Sequence, residues 1–240
     1  MENVPQQLIN IAKQLIIYYF QNEHSNYPNI DKETSRIQSI CDNAPIKIEP
    51  KKDRQQLIAY WDNGITYFTD YSKNLSNIYS ILNELPTFVH ELLHGISNEL
   101  ESVNFIEEGM IAYLTSKIII YAINNPIKID GISPDKFQIA LENMDLFDGY
   151  RKPTEFISNV NIIMNLNGIN SECEYLFNRN GLQVLTDHAK KISPEFAKIL
   201  QNQKNKDALT SPNFQDELFF FFSNFKNFDF NQLSDTDIQM

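Results

Sequence analysis

The sequence predicts an α+β fold that is mainly α, with a small antiparallel or mixed sheet early in the chain and a helical region after it. Two observations predict it. Apolar residues recur with a helical period along most of the 240 residues, and a short stretch rich in Ile, Tyr, Trp, Phe and Thr breaks that period between residues 46 and 70. With 7 Gly and 10 Pro the chain has too few breakers for a low-complexity or fibrous protein.

The first helix is expected from Gln6 to Phe20, where Leu8, Ile11, Ala12, Leu15, Ile16 and Tyr19 form one stripe. A weaker one follows from Asp31 to Cys41. Three strands come next, Ile46 to Glu49, Gln56 to Trp61 and Ile65 to Asp70, and Asp62-Asn63-Gly64 carries the turn chemistry of a hairpin between the last two. Leu75 to Leu85 reads as helix, with Pro86 either kinking it or opening a fresh helix that carries His90 and His94. A long helix is expected from Val103 to about Ile123, ended by Asn124, Asn125 and Pro126. The remainder reads as helices over Pro134 to Met144, Thr154 to Met164, Asn170 to Phe177, Gly181 to Lys191, Pro194 to Leu200 and the Phe-rich stretch Pro212 to Phe225. No repeat or linker divides the chain, so a single domain is expected, with an α/β lobe over about residues 1–97 and a helical lobe over about 98–240.

Composition excludes several functions. A net charge of -11 argues against a nucleic-acid partner, which a basic patch would bind. No apolar run reaches the roughly 20 residues that span a bilayer, so no membrane span is expected. The start of the chain lacks a secretory pattern: Glu2 stands where positive charge belongs and Lys13 interrupts the apolar stretch. A cytoplasmic location is expected, or export by a route without a secretory signal. Cys41 and Cys173 lack metal-ligand spacing and are expected to be buried thiols.

The chemistry concentrates in His90-Glu91-Leu92-Leu93-His94. At roughly 100° per residue, His90 and His94 lie about 40° apart on one helix face, one turn apart in height, so both imidazoles reach one ion. Glu91 is about 100° round from His90, where a carboxylate takes a proton from water beside the metal. The third ligand has to come from elsewhere. Ser97 and Leu100 occupy the places where a metzincin would carry Gly and His. Glu107 and Glu108, on the next helix, both offer a carboxylate, and the one that is not a ligand could orient a His from outside. Glu99 and Glu101 are expected to be solvated.

The run Phe88 to Gly95, followed by Phe105 to Leu114, resembles the gluzincin peptidases and the bacterial peptidase-MA-like families. Their second-helix motif is a Glu followed by Gly, then an Ala and an aromatic. The resemblance covers about thirty residues. It implies a zincin-like fold, a Zn2+ cofactor held by His90, His94 and Glu108, Glu91 as general base, and hydrolysis of a peptide or protein substrate, with an endopeptidase preferred. Gly109 would let the two helices approach, with Ala112 and Thr115 small enough to pack on the same face. No Asp follows Glu108 at a spacing of three or four, where some gluzincins place an outer acid.

The oxyanion donor that such chemistry needs is assigned to Tyr150, in the turn Asp148-Gly149-Tyr150-Arg151. Ile65 to Asp70 is the expected edge strand for substrate backbone, since zincin-like peptidases bind substrate by strand addition. His188 and His24 are expected at the surface, and Phe219 to Phe222 in the core. The competing expectation is a non-catalytic zinc-binding or partner-binding protein on a metallopeptidase-like fold.

Overall fold

A computed structural model describes residues 4–52, 59–69, 78–97, 105–129, 131–144 and 151–204. Helix α1 (Val4–Glu23) and helix α2 (Ile30–Asn43) lead into three strands, β1 (Ile46–Pro50), β2 (Ala59–Trp61) and β3 (Ile65–Thr69). Two 3-10 turns, Ile78–Ser80 and Leu82–Glu84, precede α3 (Leu85–Ser97), which carries both histidines of the motif. Then come α4 (Phe105–Asn124), α5 (Pro134–Glu142), α6 (Arg151–Leu166), α7 (Ser171–Phe177), α8 (Gly181–Ile192) and α9 (Pro194–Lys204). Mainly helical architecture with one small sheet is therefore what the periodicity predicted. The expected helix Pro212 to Phe225 lies outside the described residues.

The sheet is mixed, in the order β1-β3-β2. β2 and β3 form the expected antiparallel hairpin, with Ala59 opposite Tyr67 and Trp61 opposite Ile65. Asn63 takes the left-handed conformation at its tip (φ 52°), which Asn tolerates better than most residues. β1 pairs parallel to β3, Ile46 beside Ile65. That pairing corrects one expectation. Ile65–Thr69 is the central strand and has no free edge, because the apolar β3, buried at four of its five positions, takes the middle of the sheet.

A second correction concerns Leu75 to Leu85. Its described part forms two separate 3-10 turns, and α3 starts at Leu85 with Pro86 in its first turn, where the missing N–H costs nothing.

Helix α3 is mostly buried: Leu85, Phe88, Val89, Leu92, Leu93 and Ile96 are fully enclosed, while Thr87, His94 and Gly95 are partly exposed. So wide an apolar surface places the helix within the core. It packs against α1, α4, α7 and the hairpin, with the Phe88 ring 5.4 Å from that of Tyr67 on β3. Arg36 of α2 ties down its end, donating to the backbone carbonyls of Ile96 (3.0 Å) and Leu176 (3.2 Å), acceptors that a helix terminus leaves open. One continuous apolar cluster runs from Leu8 to Leu200, so α1 packs against elements of both expected lobes.

Gly109 has a different neighbour from the one expected. A Cβ there would lie 2.7 Å from the Pro153 carbonyl oxygen and 2.9 Å from Ile157 Cγ1. Its bareness serves the close approach of α4 to α6 and not to the histidine helix, because Gly109 follows Glu108 by about 100° of helical rotation.

Among the described residues no helix is long and apolar enough to cross a membrane. Cys41 and Cys173 are both buried and free, and burial pushes both thiols up, Cys41 to about 12 and Cys173 further still.

Candidate metal centre

Two helix ends build the site. His94 lies in the last turn of α3, and Glu107 and Glu108 lie in the first turn of α4. The macrodipoles suit both placements, since cations are favoured at C-termini and carboxylates at N-termini. The side chains are deeply enclosed: His90 and Glu108 are 4% and 3% exposed. Buried charges of this kind persist only when paired or bound to metal.

Three groups converge on one point. His90 Nε2 is 3.1 Å from His94 Nε2 and 3.2 Å from Glu108 Oε2, and His94 Nε2 is 3.3 Å from Glu108 Oε1. An ion held tetrahedrally by nitrogen and oxygen at about 2.0–2.1 Å has ligand atoms about 3.3–3.4 Å apart, the edge of the tetrahedron. The three measured separations come within a few tenths of an ångström of that edge. His90, His94 and Glu108 could therefore hold a metal ion.

Glu107 takes the other position left open by the sequence. Its Oε1 lies 3.1 Å from His94 Nδ1, so the imidazole donates Nδ1–H to it and turns Nε2 inward. That is the outer partner a ligating histidine usually has. Without metal, protons hold the cluster together. Burial alone would lower the His94 value, but hydrogen bonds to Glu107 and Glu108 override it and lift the imidazolium to about 10. Burial likewise opposes ionisation of Glu108, yet His90 and His94 hold its carboxyl well below the usual carboxylate range.

Glu91 stands beside this group at 8% exposure. Desolvation raises its carboxyl above the ordinary value, partly offset by the two histidines and by a hydrogen bond from the Trp61 backbone N–H on β2. A carboxylate of raised proton affinity beside a metal position suits the acceptance of a proton.

No protein-family model, curated protein or solved structure matches the chain. What the protein does has to be read from the geometry of this site.

Tyr150 and the neighbouring Asp148 and Gly149 lie outside the described residues, as do Glu99 and Glu101. His188 is half-buried on α8, its Nε2 3.8 Å from Glu174 Oε2. His24 is not exposed as expected. Its side chain is 12% accessible, with Nε2 2.9 Å from Glu172 Oε2 and Nδ1 2.8 Å from Asn170 Nδ2. The cause is a fold contact: the end of α1 meets the start of α7, a contact across about 150 residues of chain that local polarity cannot reveal. Glu172 also accepts from the Tyr19 hydroxyl (2.7 Å) and from Asn161 Nδ2 (3.0 Å). Trp61 and Arg36 were missed as well. Trp61 carried one signal, its place beside the hairpin turn ahead of the histidine helix.

Proposed function

We propose that this chain is a zinc-dependent peptidase of the gluzincin type, in which His90, His94 and Glu108 hold the ion and Glu91 is the general base. The observation that carries the reading is the convergence of two imidazole nitrogens and one carboxylate at 3.1–3.3 Å, with Glu91 on the same helix one residue after His90. Two imidazoles and a carboxylate with a fourth position open is the donor set of catalytic zinc, and imidazole suits zinc better than it suits calcium or magnesium.

Zinc bound there would lower the proton affinity of water and polarise a substrate carbonyl. The protein's own residues do the rest. Glu91 takes the proton of the attacking water and hands it to the leaving nitrogen, which its raised proton affinity favours. Glu107 holds His94 in the tautomer that presents Nε2 inward.

A zincin-like arrangement gains support from the mixed sheet lying on the histidine helix. The strand available for substrate backbone is then β2, the edge strand packed on α3, in place of the central β3. An extended peptide added there would be a fourth strand.

Metal analysis joined to a cleavage screen on peptide mixtures tests the reading. One zinc per chain is expected, and Glu91→Gln is expected to lose about 10²–10⁴-fold in kcat while keeping the ion. Full activity in that variant, or purified protein that neither holds nor takes up zinc, would overturn the proposal. A protein that binds zinc and cleaves nothing would be a binding protein on this fold.

A further inference from the structure

Gly95 directly follows the second histidine, and the nearest atoms above it belong to the Trp61 indole. A Cβ at position 95 would lie 2.6 Å from both Cε2 and Cη2 of that ring. The six-membered part of the indole therefore rests on the bare backbone of α3, and the ring packs against the hydrophobic core on its other contacts.

The same residue reaches the candidate base through its main chain. Asp62 N–H donates to the Gly64 carbonyl across the hairpin. Successive residues of a strand direct their N–H groups to opposite sides, so Trp61 N–H points away from β3, and it donates to the Glu91 carboxylate. One residue thus touches α3 twice, by its ring at Gly95 and by its amide at Glu91, four positions and about one helical turn apart. Among the described residues β2 is three residues long and paired on one side only, so hydrogen bonding within the sheet does little to fix its distance from α3.

We infer that Trp61 and Gly95 form a spacer that positions Glu91: the indole seated on Gly95 sets the separation of β2 from α3 at which the Trp61 amide holds the Glu91 carboxylate. Both are positioning residues and neither touches the ion. The role of Glu91 as base rests on the proposed peptidase reading, while the spacer itself does not. Indole is rigid and its thickness cannot change, which makes it a suitable gauge. A shift of about 1 Å in a reacting group costs on the order of 10²-fold in rate, so the spacing matters to turnover well before it matters to folding.

The test uses the chain's single tryptophan. Labelling with 15N-tryptophan gives one backbone amide resonance, that of Trp61, in the full-length zinc-loaded protein. In Glu91→Ala that amide is expected to move upfield and to exchange faster with solvent. Gly95→Ala is expected to move the same resonance with Glu91 intact, and to lower kcat by on the order of 10²-fold with KM and zinc content unchanged. Trp61→Ala removes the ring without crowding the helix and is expected to lower kcat at constant KM; it decides the seat even if Gly95→Ala does not fold. An unchanged Trp61 amide in Glu91→Ala, or wild-type kcat in folded Gly95→Ala or Trp61→Ala, would overturn the spacer. If the wild-type protein shows no turnover the peptidase reading fails, and the amide resonances of Glu91→Ala and Gly95→Ala still decide the spacer.

Discussion

Among the described residues lie two buried clusters of histidine and carboxylate, and they are built on opposite logic. Around Glu172 each acceptor faces a donor. The Asn170 side-chain oxygen caps α7 by accepting the Cys173 N–H, which turns its amide nitrogen toward His24 Nδ1. His24 Nδ1 must then accept, and Nε2–H donates to Glu172. Tyr19 and Asn161 serve the rest of the carboxylate, Asn161 also donates to the Tyr113 hydroxyl, and Ser171 donates to Asn161 Oδ1. Around Glu108 the groups converge on one point: His94 gives Nδ1–H to Glu107, and its inward Nε2 meets both His90 Nε2 and the Glu108 carboxylate, ligand atoms so close that only a proton or a cation between them holds them together. Satisfied donors and acceptors make a structural network; convergent acceptors make a seat for a cation. The comparison separates a histidine that builds from a histidine that binds, which residue type and burial alone do not.

The sharpest way to break it is to truncate one carboxylate from each cluster. Glu172→Ala is expected to cost about 3–5 kcal/mol of stability, because it strands buried donors that had one partner, while zinc content stays at the wild-type level. Glu108→Ala is expected to do the reverse, losing zinc with a smaller effect on the chelator-treated protein. Denaturant unfolding with and without chelator, together with metal analysis, reads both; equal effects of the two variants on zinc would erase the distinction.

A smaller effect is expected for Glu107→Ala. Loss of the outer partner that orients His94 should weaken zinc binding by about 10–100-fold without abolishing it, as measured by competition against a chromophoric chelator. Complete loss would make Glu107 a ligand in its own right.

The mildest effect is graded by pH. His94 has its value raised from the ordinary 6.5 to about 10 in the metal-free protein, so a proton competes with the ion throughout the neutral range. Zinc affinity is therefore expected to rise between pH 6 and 8, by up to about tenfold per unit for one displaced proton. The stabilising effect of His94 in metal-free protein runs the other way: it is complete below about 6.5 and disappears as pH climbs through about 10. Burial pushes Glu172 up, but hydrogen bonds from His24 and Tyr19 more than offset this and lower it below 4.5, so its contribution is present above that value and fades only on acidification. Titration calorimetry in buffers of different ionisation enthalpy would measure the proton release, and a flat affinity from pH 6 to 8 would contradict it.

Much of the fold was legible because helices announce themselves locally. The stripe from Leu8 to Tyr19, the apolar Phe88, Val89, Leu92 and Leu93 around His90 and the hairpin turn at Asp62-Asn63-Gly64 each follow from nearest-neighbour geometry. The pair His90 and His94 was legible for the same reason, since a spacing of four on a helix is a distance. Strand order was not. β1 reaches β3 across the intervening hairpin strand, and nothing within Ile46–Pro50 says which partner it takes.

By itself, then, the sequence determined the helical class, the two histidines on one face and the carboxylate beside them, because those depend on residues within one turn of each other. Only the tertiary structure decided that Glu108 faces both inward nitrogens while Glu107 backs His94, that Gly109 serves α6 and Gly95 seats Trp61, and that His24 is enclosed by α7. Each of those depends on how two elements rotate and approach one another, and that is set by the packing of the whole core.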